Sequence, residues 1–395
     1  MGRIQTLFSS RRSFVLSLVA LGASAIVLVW FGMRVILDSS DGRLISSISE
    51  ASAPGFEAIV EKTPTALVFA VDESGQLQAA TLLSLTAEGE GGVMTIPVDT
   101  DVYIGLSPGV VVPITLQALY AGNGSEPART ALGELLNLQF SATVVVKATD
   151  WVELVSSAGP LTVSNPSDVT TVDGVVLFPK GSIALSADQA WPYVSTSSAD
   201  QSELDLALRQ QAFWKAWMAA MGSQGTEAAR TIPASDGLGR YISALSGDRL
   251  TLLTLPVVPA GGTPVQYRLA PGVTGAAAIS PIVPLPEGAP GRRPRMKVLD
   301  GTGTLDNARG PAVVLAAGGG QIDVLGNAAA FGTPTTQIIY FDPAQLPAAE
   351  RMRAVLGFGE VVESRQTNSA LDLTVIIGDD YESRSPTTSS GGTGA

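Results

Sequence analysis

Residues 65–97 read TALVFAVDESGQLQAATLLSLTAEGEGGVMTIP, and their pattern decides the fold. Residues 66–71 are an unbroken apolar run of strand length, closed by the turn-forming Asp72, Glu73, Ser74 and Gly75. Residues 77–85 and 92–97 predict two further strands around the flexible, glycine-rich stretch 88–92. Downstream, residues 128–138 predict a helix, because Ala128, Ala131, Leu132, Leu135 and Leu136 recur at spacings of three and four. Residues 143–146 read as a buried strand, 151–155 as the start of a short helix, and 161–163 and 174–177 as strands. The strongest helical signal covers residues 204–221, where Leu206, Phe213, Trp214, Trp217, Met218 and Met221 share one face behind the candidate caps Asp200 and Ser202. Strands alternating with helices predict the α/β class, here an α-β-α sandwich over residues 63–255.

A second, smaller α/β domain is predicted over residues 296–381. Its strands are expected at 296–299, 321–325, 336–341 and 371–377, and its helices at 305–317 and 343–356, the first weakened by Gly310 and Pro311. Between the two domains, residues 256–295 are rich in Pro, Gly and Ala and read as a linker, although 253–269 could still complete the first domain. The tail, 382–395, is rich in Ser, Thr and Gly and is expected to be disordered.

Residues 14–33, FVLSLVALGASAIVLVWFGM, carry no charge and have the length a helix needs to cross about 30 Å of hydrocarbon. Arg3, Arg11 and Arg12 precede this run and no acid occurs before Asp38, so the basic segment 1–13 is expected to stay cytoplasmic and everything after residue 37 to lie outside. Ala23, Ser24 and Ala25 resemble a signal-peptide cleavage site, but the apolar run continues beyond them, which favours an uncleaved single-pass anchor at 14–37 followed by a stalk at 38–62. The exported part holds 20 basic and 36 acidic residues, a net charge of −16 with no basic stripe, and nucleic-acid binding is not expected of it. The 395 residues include neither His nor Cys. Triads and zinc or thiol chemistry are thereby excluded, leaving carboxylates, Arg, Lys, Tyr and hydroxyls, with a hard cation such as Mg²⁺ as the one compatible metal type.

Several short motifs follow one another in order. They are Ile96-Pro97-Val98-Asp99-Thr100, Asp150-Trp151-Val152-Glu153-Leu154-Val155, Phe178-Pro179-Lys180-Gly181, Ala187-Asp188-Gln189-Ala190 with Tyr193-Val194, and Arg209-Gln210-Gln211. The chain resembles the LytR-CpsA-Psr family over roughly residues 62–255. Val298-Leu299-Asp300-Gly301-Thr302-Gly303, Gly326-Asn327 and the closing stretch 375–381 resemble the LytR C-terminal domain. The resemblance implies an extracytoplasmic phosphotransferase that moves a polyprenyl-pyrophosphate-linked glycopolymer to peptidoglycan. Arginines and a carboxylate-bound Mg²⁺ would hold the pyrophosphate, the lipid would lie in an apolar tunnel, and no organic cofactor would be needed.

Measured against that pattern, the cationic set is depleted. Val98 stands where the family has a pyrophosphate-binding Arg, Thr115 where it has a Lys, Ser195 to Ser197 where it has Arg-x-Arg, and Leu206 where it has the first Arg of the last motif. The expected metal-binding Asp falls at Thr63, Pro64 and Thr65, none of which is a carboxylate. The remaining candidates are Arg209 and Asp99 as catalytic groups, Asp99 and Asp101 as cation ligands, and Gln210, Gln211, Phe213 and Trp217 as ligand-binding residues. Each has a plainer role available: Arg209 on a half-buried helix face, the aspartates in a turn, the aromatic stripe as core. The expectation is a family member with impaired or absent catalysis that binds polyprenyl-linked glycopolymer. An active phosphotransferase with a rearranged site, and an envelope scaffold acting through the C-terminal domain, are the alternatives.

Overall fold

The computed structural model describes residues 48–86, 90–107, 110–198, 201–224, 237–247, 249–289, 291–306 and 308–381. The expected membrane segment, the candidate cap Asp200 and the tail therefore lie outside the described residues. No described helix is long and apolar enough to cross a membrane. The chain forms two compact units, one of Ile59–Pro294 with Arg309–Asp323 and the other of residues 48–58, Arg295–Ala308 and 324–381.

After a short strand β1 (Glu57–Ile59), the larger unit begins with β2 (Thr65–Val71), β3 (Leu77–Leu85) and β4 (Gly91–Ile96). Their apolar runs are buried throughout, which is what a strand covered on both faces requires. The hairpin β5 (Asp101–Ser107) and β6 (Val110–Thr115) follows, then helices α1 (Leu116–Asn123) and α2 (Ser125–Leu136) and strand β7 (Ala142–Lys147). Next come α3 (Trp151–Ser156), β8 (Leu161–Asn165), β9 (Val169–Thr170), β10 (Val176–Phe178), β11 (Gly181–Leu185), α4 (Ala187–Ser195), α5 (Glu203–Gln224) and α6 (Leu238–Leu245). The central sheet is completed by β12 (Leu250–Thr254) in the order β12-β4-β3-β2-β7, with β3 antiparallel to both its neighbours and the two outer strands parallel to theirs.

Period two splits β2 between two cores. Ala66, Val68 and Ala70 face a cluster with Trp151, Tyr193, Phe213, Trp217 and Ile242, whereas Leu67, Phe69 and Val71 face one with Leu116, Leu132 and Leu136. The expected three-layer α/β architecture is the observed one. At the sheet edge, β7 alternates between buried and exposed positions instead of being buried throughout, because it has a neighbour on one side only.

The linker expectation for 256–295 is overturned. This stretch holds the hairpin β13 (Val257–Gly261) and β14 (Gln266–Leu269) and the short helix α7 (Gly275–Ile279). Ile279, Ile282 and Val283, at helical spacing, are buried in the second core. The glycine that read as flexibility is here a packing requirement. A Cβ on Gly275 would sit 1.9 Å from the Leu135 carbonyl oxygen, and one on Gly92 would sit 2.0 Å from Ile282.

In the smaller unit the strands are β1, β15 (Arg295–Asp300), β16 (Gln321–Asn327), β17 (Gln337–Tyr340), β18 (Glu360–Glu363) and β19 (Leu373–Ile377), in the order β1-β16-β15-β19-β17-β18. The predicted helices appear as α8 (Arg309–Ala317) and α9 (Leu346–Leu356), the first beginning after Asp306 and Ala308, which both have positive φ. Part of the expected stalk is also structured, since β1 is the edge strand of this sheet. The Gly301-Thr302-Gly303 turn is tied down by its own strand end. Asp300 Oδ1 accepts from the Thr302 and Gly303 amides at 2.7 and 3.0 Å, and Oδ2 accepts from the Leu305 amide at 3.0 Å. Burial alone would raise the Asp300 pKa, but these hydrogen bonds hold it below the usual carboxylate range.

Candidate functional site

Two segments far apart in sequence meet at the entrance to α5. The first is the turn after β4, where the Thr100 amide donates to Pro97 O at 3.1 Å and the Tyr267 amide to Asp99 O at 3.0 Å. The second is the first turn of α5, closed by a reciprocal cap. The Ser202 amide donates to Asp205 Oδ2 at 2.9 Å and the Asp205 amide to Ser202 Oγ at 3.3 Å. Ser202 is thus the cap the sequence suggested. Here Glu203, a residue the sequence reading passed over, accepts a hydrogen bond from the Val98 amide and lies within electrostatic reach of Asp99 and Arg209.

Burial is the dominant influence on all three charges. It pushes Glu203 up to about 7, and the neighbouring Asp99 adds to the rise while the Val98 amide and Arg209 oppose it. Asp99 is likewise raised by burial. Burial pushes Arg209 down to about 10, against the influence of Tyr193 and Glu203, so it remains a cation at neutral pH. Glu203, with Asp99 on one side and the sealed guanidinium on the other, can hold a proton up to about pH 7. The three groups present no surplus of positive charge to a phosphate.

Arg209 is 0% exposed. Its guanidinium donates to Thr196 O and, from Nη1, to Gln201 Oε1 at 2.7 Å, and it lies 5.8 Å from the centre of the Tyr193 ring. Its Nε is buried without a partner. Gln201 in turn donates to Ser167 Oγ and Asp168 O, both at 2.8 Å, so Arg209 ties the start of α5 to the β8–β9 loop. Beside it, Gln210 donates to Val194 O at 3.0 Å and Gln78 O at 3.2 Å, spanning α5, α4 and β3. Gln211 is half-buried on the same helix.

Phe213 and Trp217, candidates for lining a lipid tunnel, are instead sealed in the first core. Phe213 lies 5.4 Å and Trp217 6.2 Å, ring centre to ring centre, from Trp151. The signal for core was the tight apolar stripe itself. Asp99 and Asp101 are both buried, Asp101 Oδ1 has no hydrogen-bond partner, and burial raises the Asp101 pKa against the pull of Arg268. Among the described residues, however, no group of three carboxylates could hold a metal. Thr63, at the position of the expected metal ligand, accepts from the Leu285 amide at 3.2 Å. The described residues thus supply no all-protein cage of three or more carboxylates for a resident Mg²⁺.

The other depleted positions have become structural. Val98 and Leu206 are buried, Thr115 caps α1 by accepting from the Ala118 amide at 3.2 Å, and Ser195 Oγ donates to Trp191 O at 2.8 Å.

Residues 293–381 match the family described as LytR cell envelope-related transcriptional attenuator. The C-terminal region is a LytR C-terminal domain. This match bears out the resemblance to the LytR C-terminal domain read from Val298 to Gly303, Gly326-Asn327 and residues 375–381. No curated protein matches the chain. Among solved structures, TagV of B. subtilis is similar at 14% identity over 54% of this chain and 92% of its own, with a TM-score of 0.44. A LytR-Csp2A-Psr enzyme from Actinomyces oris is similar at 17% identity over 54% of this chain and 91% of that one, with a TM-score of 0.43. B. subtilis TagT, in a structure bound to LIIa-WTA, is similar at 19% identity over 53% of this chain and 86% of its own, with a TM-score of 0.43. The LytR C-terminal domain contributes β15 to β19 of the smaller sheet, while its first helix, α8, belongs by contact to the larger unit.

Proposed function

We propose that this chain is a membrane-anchored, extracytoplasmic protein of cell-envelope biogenesis, of LytR-CpsA-Psr type, that binds a polyprenyl-linked glycopolymer or its lipid without transferring it. One observation carries the non-catalytic half of the reading. Arg209, the one survivor of the arginines the resemblance leads one to expect, is wholly buried and its guanidinium is engaged by Thr196 O and Gln201. Phosphoryl transfer needs cations where phosphate charge develops, and losing even two such contacts at 1.5–3 kcal/mol each lowers a rate by roughly 10²- to 10⁴-fold. Beside Arg209 this protein offers the carboxyl of Glu203 instead, with Asp99 within electrostatic reach of Glu203. The envelope setting is supported by the LytR C-terminal domain, and the export of the acidic part by the apolar segment 14–33 with its basic flank.

The test uses the full chain in detergent with a polyprenyl pyrophosphate and Mg²⁺, scoring phosphate release and, by mass spectrometry, lipid retained after purification. Retained lipid with no release is the expected outcome. Sustained release that Glu203→Gln diminishes would establish an active transferase. An absence of both release and retained lipid would leave the C-terminal domain, acting as a scaffold, as the functional part.

A further inference from the structure

Two hairpins of the larger unit expose apolar side chains that no other described residue covers. In β5–β6 these are Tyr103, Val110 and Val111, the last 61% exposed. In β9–β10, turned at Gly174 with φ 79°, they include Val172 at 93% and Val175 at 60%, with Leu177 beside them. Each hairpin is a separate two-stranded sheet that joins no larger one. Residues 102–115 contain no charged side chain and residues 169–178 contain only Asp173. Exposed apolar tips without charge are an aggregation hazard in water, and proteins retain them where another phase or a partner takes them up.

Both hairpins spring from the candidate site. β5 starts two residues after Asp99, and the Thr170 amide of β9 donates at 3.1 Å to Ser198 Oγ, just ahead of the Gln201–Glu203 segment. We infer that β5–β6 and β9–β10 insert their tips into the surface of the lipid bilayer, so that the turn holding Asp99 and the start of α5 with Glu203 face the membrane.

A bilayer is the occupant that the rest of the chain points to. Residues 34–47 join the apolar segment to the first described residue, and 14 residues reach at most about 50 Å when extended, which keeps the protein close to the surface it is anchored in. The exported part carries −16, so attraction to anionic headgroups is unavailable and shallow apolar insertion is the remaining mode of contact. Tyr103 suits the interface, where an aromatic ring with one polar end is favoured. A stable protein interface asks for a patch of about 800 Å² per partner, and two narrow tips are a poor match to it.

The inference rests on the anchoring part of the proposed function and not on ligand binding. Because the chain has no cysteine, a single one can be placed at will. Val172→Cys and Val111→Cys, with Leu346→Cys on α9 as a control, are labelled with an environment-sensitive fluorophore in the full chain and reconstituted into phosphatidylcholine vesicles containing a headgroup-level nitroxide lipid. Tips buried about 5–10 Å into the interface should shift their emission to the blue and lose it about twofold to the nitroxide, while the control stays unchanged. Proteoliposomes that sediment normally but leave both hairpin labels unquenched overturn the insertion and spare the anchor. Blue-shifted labels that resist the nitroxide but transfer energy between copies show a second copy on the tips, and also overturn it. A chain that fails to sediment with vesicles overturns both.

Discussion

Glu203 shows how burial reassigns an ordinary residue. In the unfolded chain it ionises near the usual glutamate value, while in the folded protein burial and Asp99 hold its proton up to about pH 7. The folded state therefore binds more protons between those two values, and stability contributed by this group falls as pH rises through the window. The integrated loss is on the order of 3–4 kcal/mol well above pH 7. Glu203→Gln, which keeps an acceptor for the Val98 amide but never ionises, should raise the melting temperature at pH 8 and leave it nearly unchanged at pH 4. Melts at the two values check this, and an equal shift at both would place the effect elsewhere. Arg209 was legible as a residue of interest because it shares a motif with Gln210 and Gln211. Its partners were not, since Thr196 and Gln201 lie 13 and 8 residues away and meet it only through the turn into α5. Glu203 carried no signal at all, because an acid in the first turn of a helix is ordinary.

At the scale of elements, what could be read was what hydrophobic periodicity writes directly. β2, β3, β4, α2 and α5 coincide with their predicted spans to within a few residues, because each buries a continuous run or a helical stripe. Where composition competed with pattern, composition misled. The 256–295 stretch looked like a linker on account of its Pro and Gly, yet Ile279, Ile282 and Val283 put it under the central sheet. The β5–β6 hairpin escaped because its outward residues are apolar, so neither alternation nor a polar face marked it. If α7 is structural, Ile279→Ala should cost about 2–4 kcal/mol of unfolding free energy, a typical loss for a fully buried aliphatic side chain. Urea titration of the full chain measures it, and a loss below about 0.5 kcal/mol, the scale of a surface substitution, would return the stretch to the status of a linker.

For the molecule as a whole, the boundary drawn by sequence and the boundary drawn by packing part company at Arg293. Arg293 begins the LytR C-terminal match, yet it is buried in the larger unit, where Nε donates to Asn137 O at 2.6 Å and Nη1 to Ala316 O and Gly320 O at 2.9 and 3.0 Å. These carbonyls end α2 and α8, which leave acceptors unsatisfied and partial negative charge exposed. A cation there fits both helix ends, and although burial pushes its pKa down to about 10, it stays charged at neutral pH. Arg293→Met keeps most of the volume but strands three carbonyls, each a penalty of roughly 1–3 kcal/mol if water cannot reach it. Amide exchange in residues 309–323 should then accelerate towards that of a frayed segment while exchange in β17 and β19 stays as slow as before, because those strands belong to the other unit. Arg293→Lys, which keeps the charge but has no planar fork to span two helix ends, should fall between the two. Unchanged protection of α8 in Arg293→Met would mean that its apolar face alone, Ala312, Leu315 and Ala316, holds it in place.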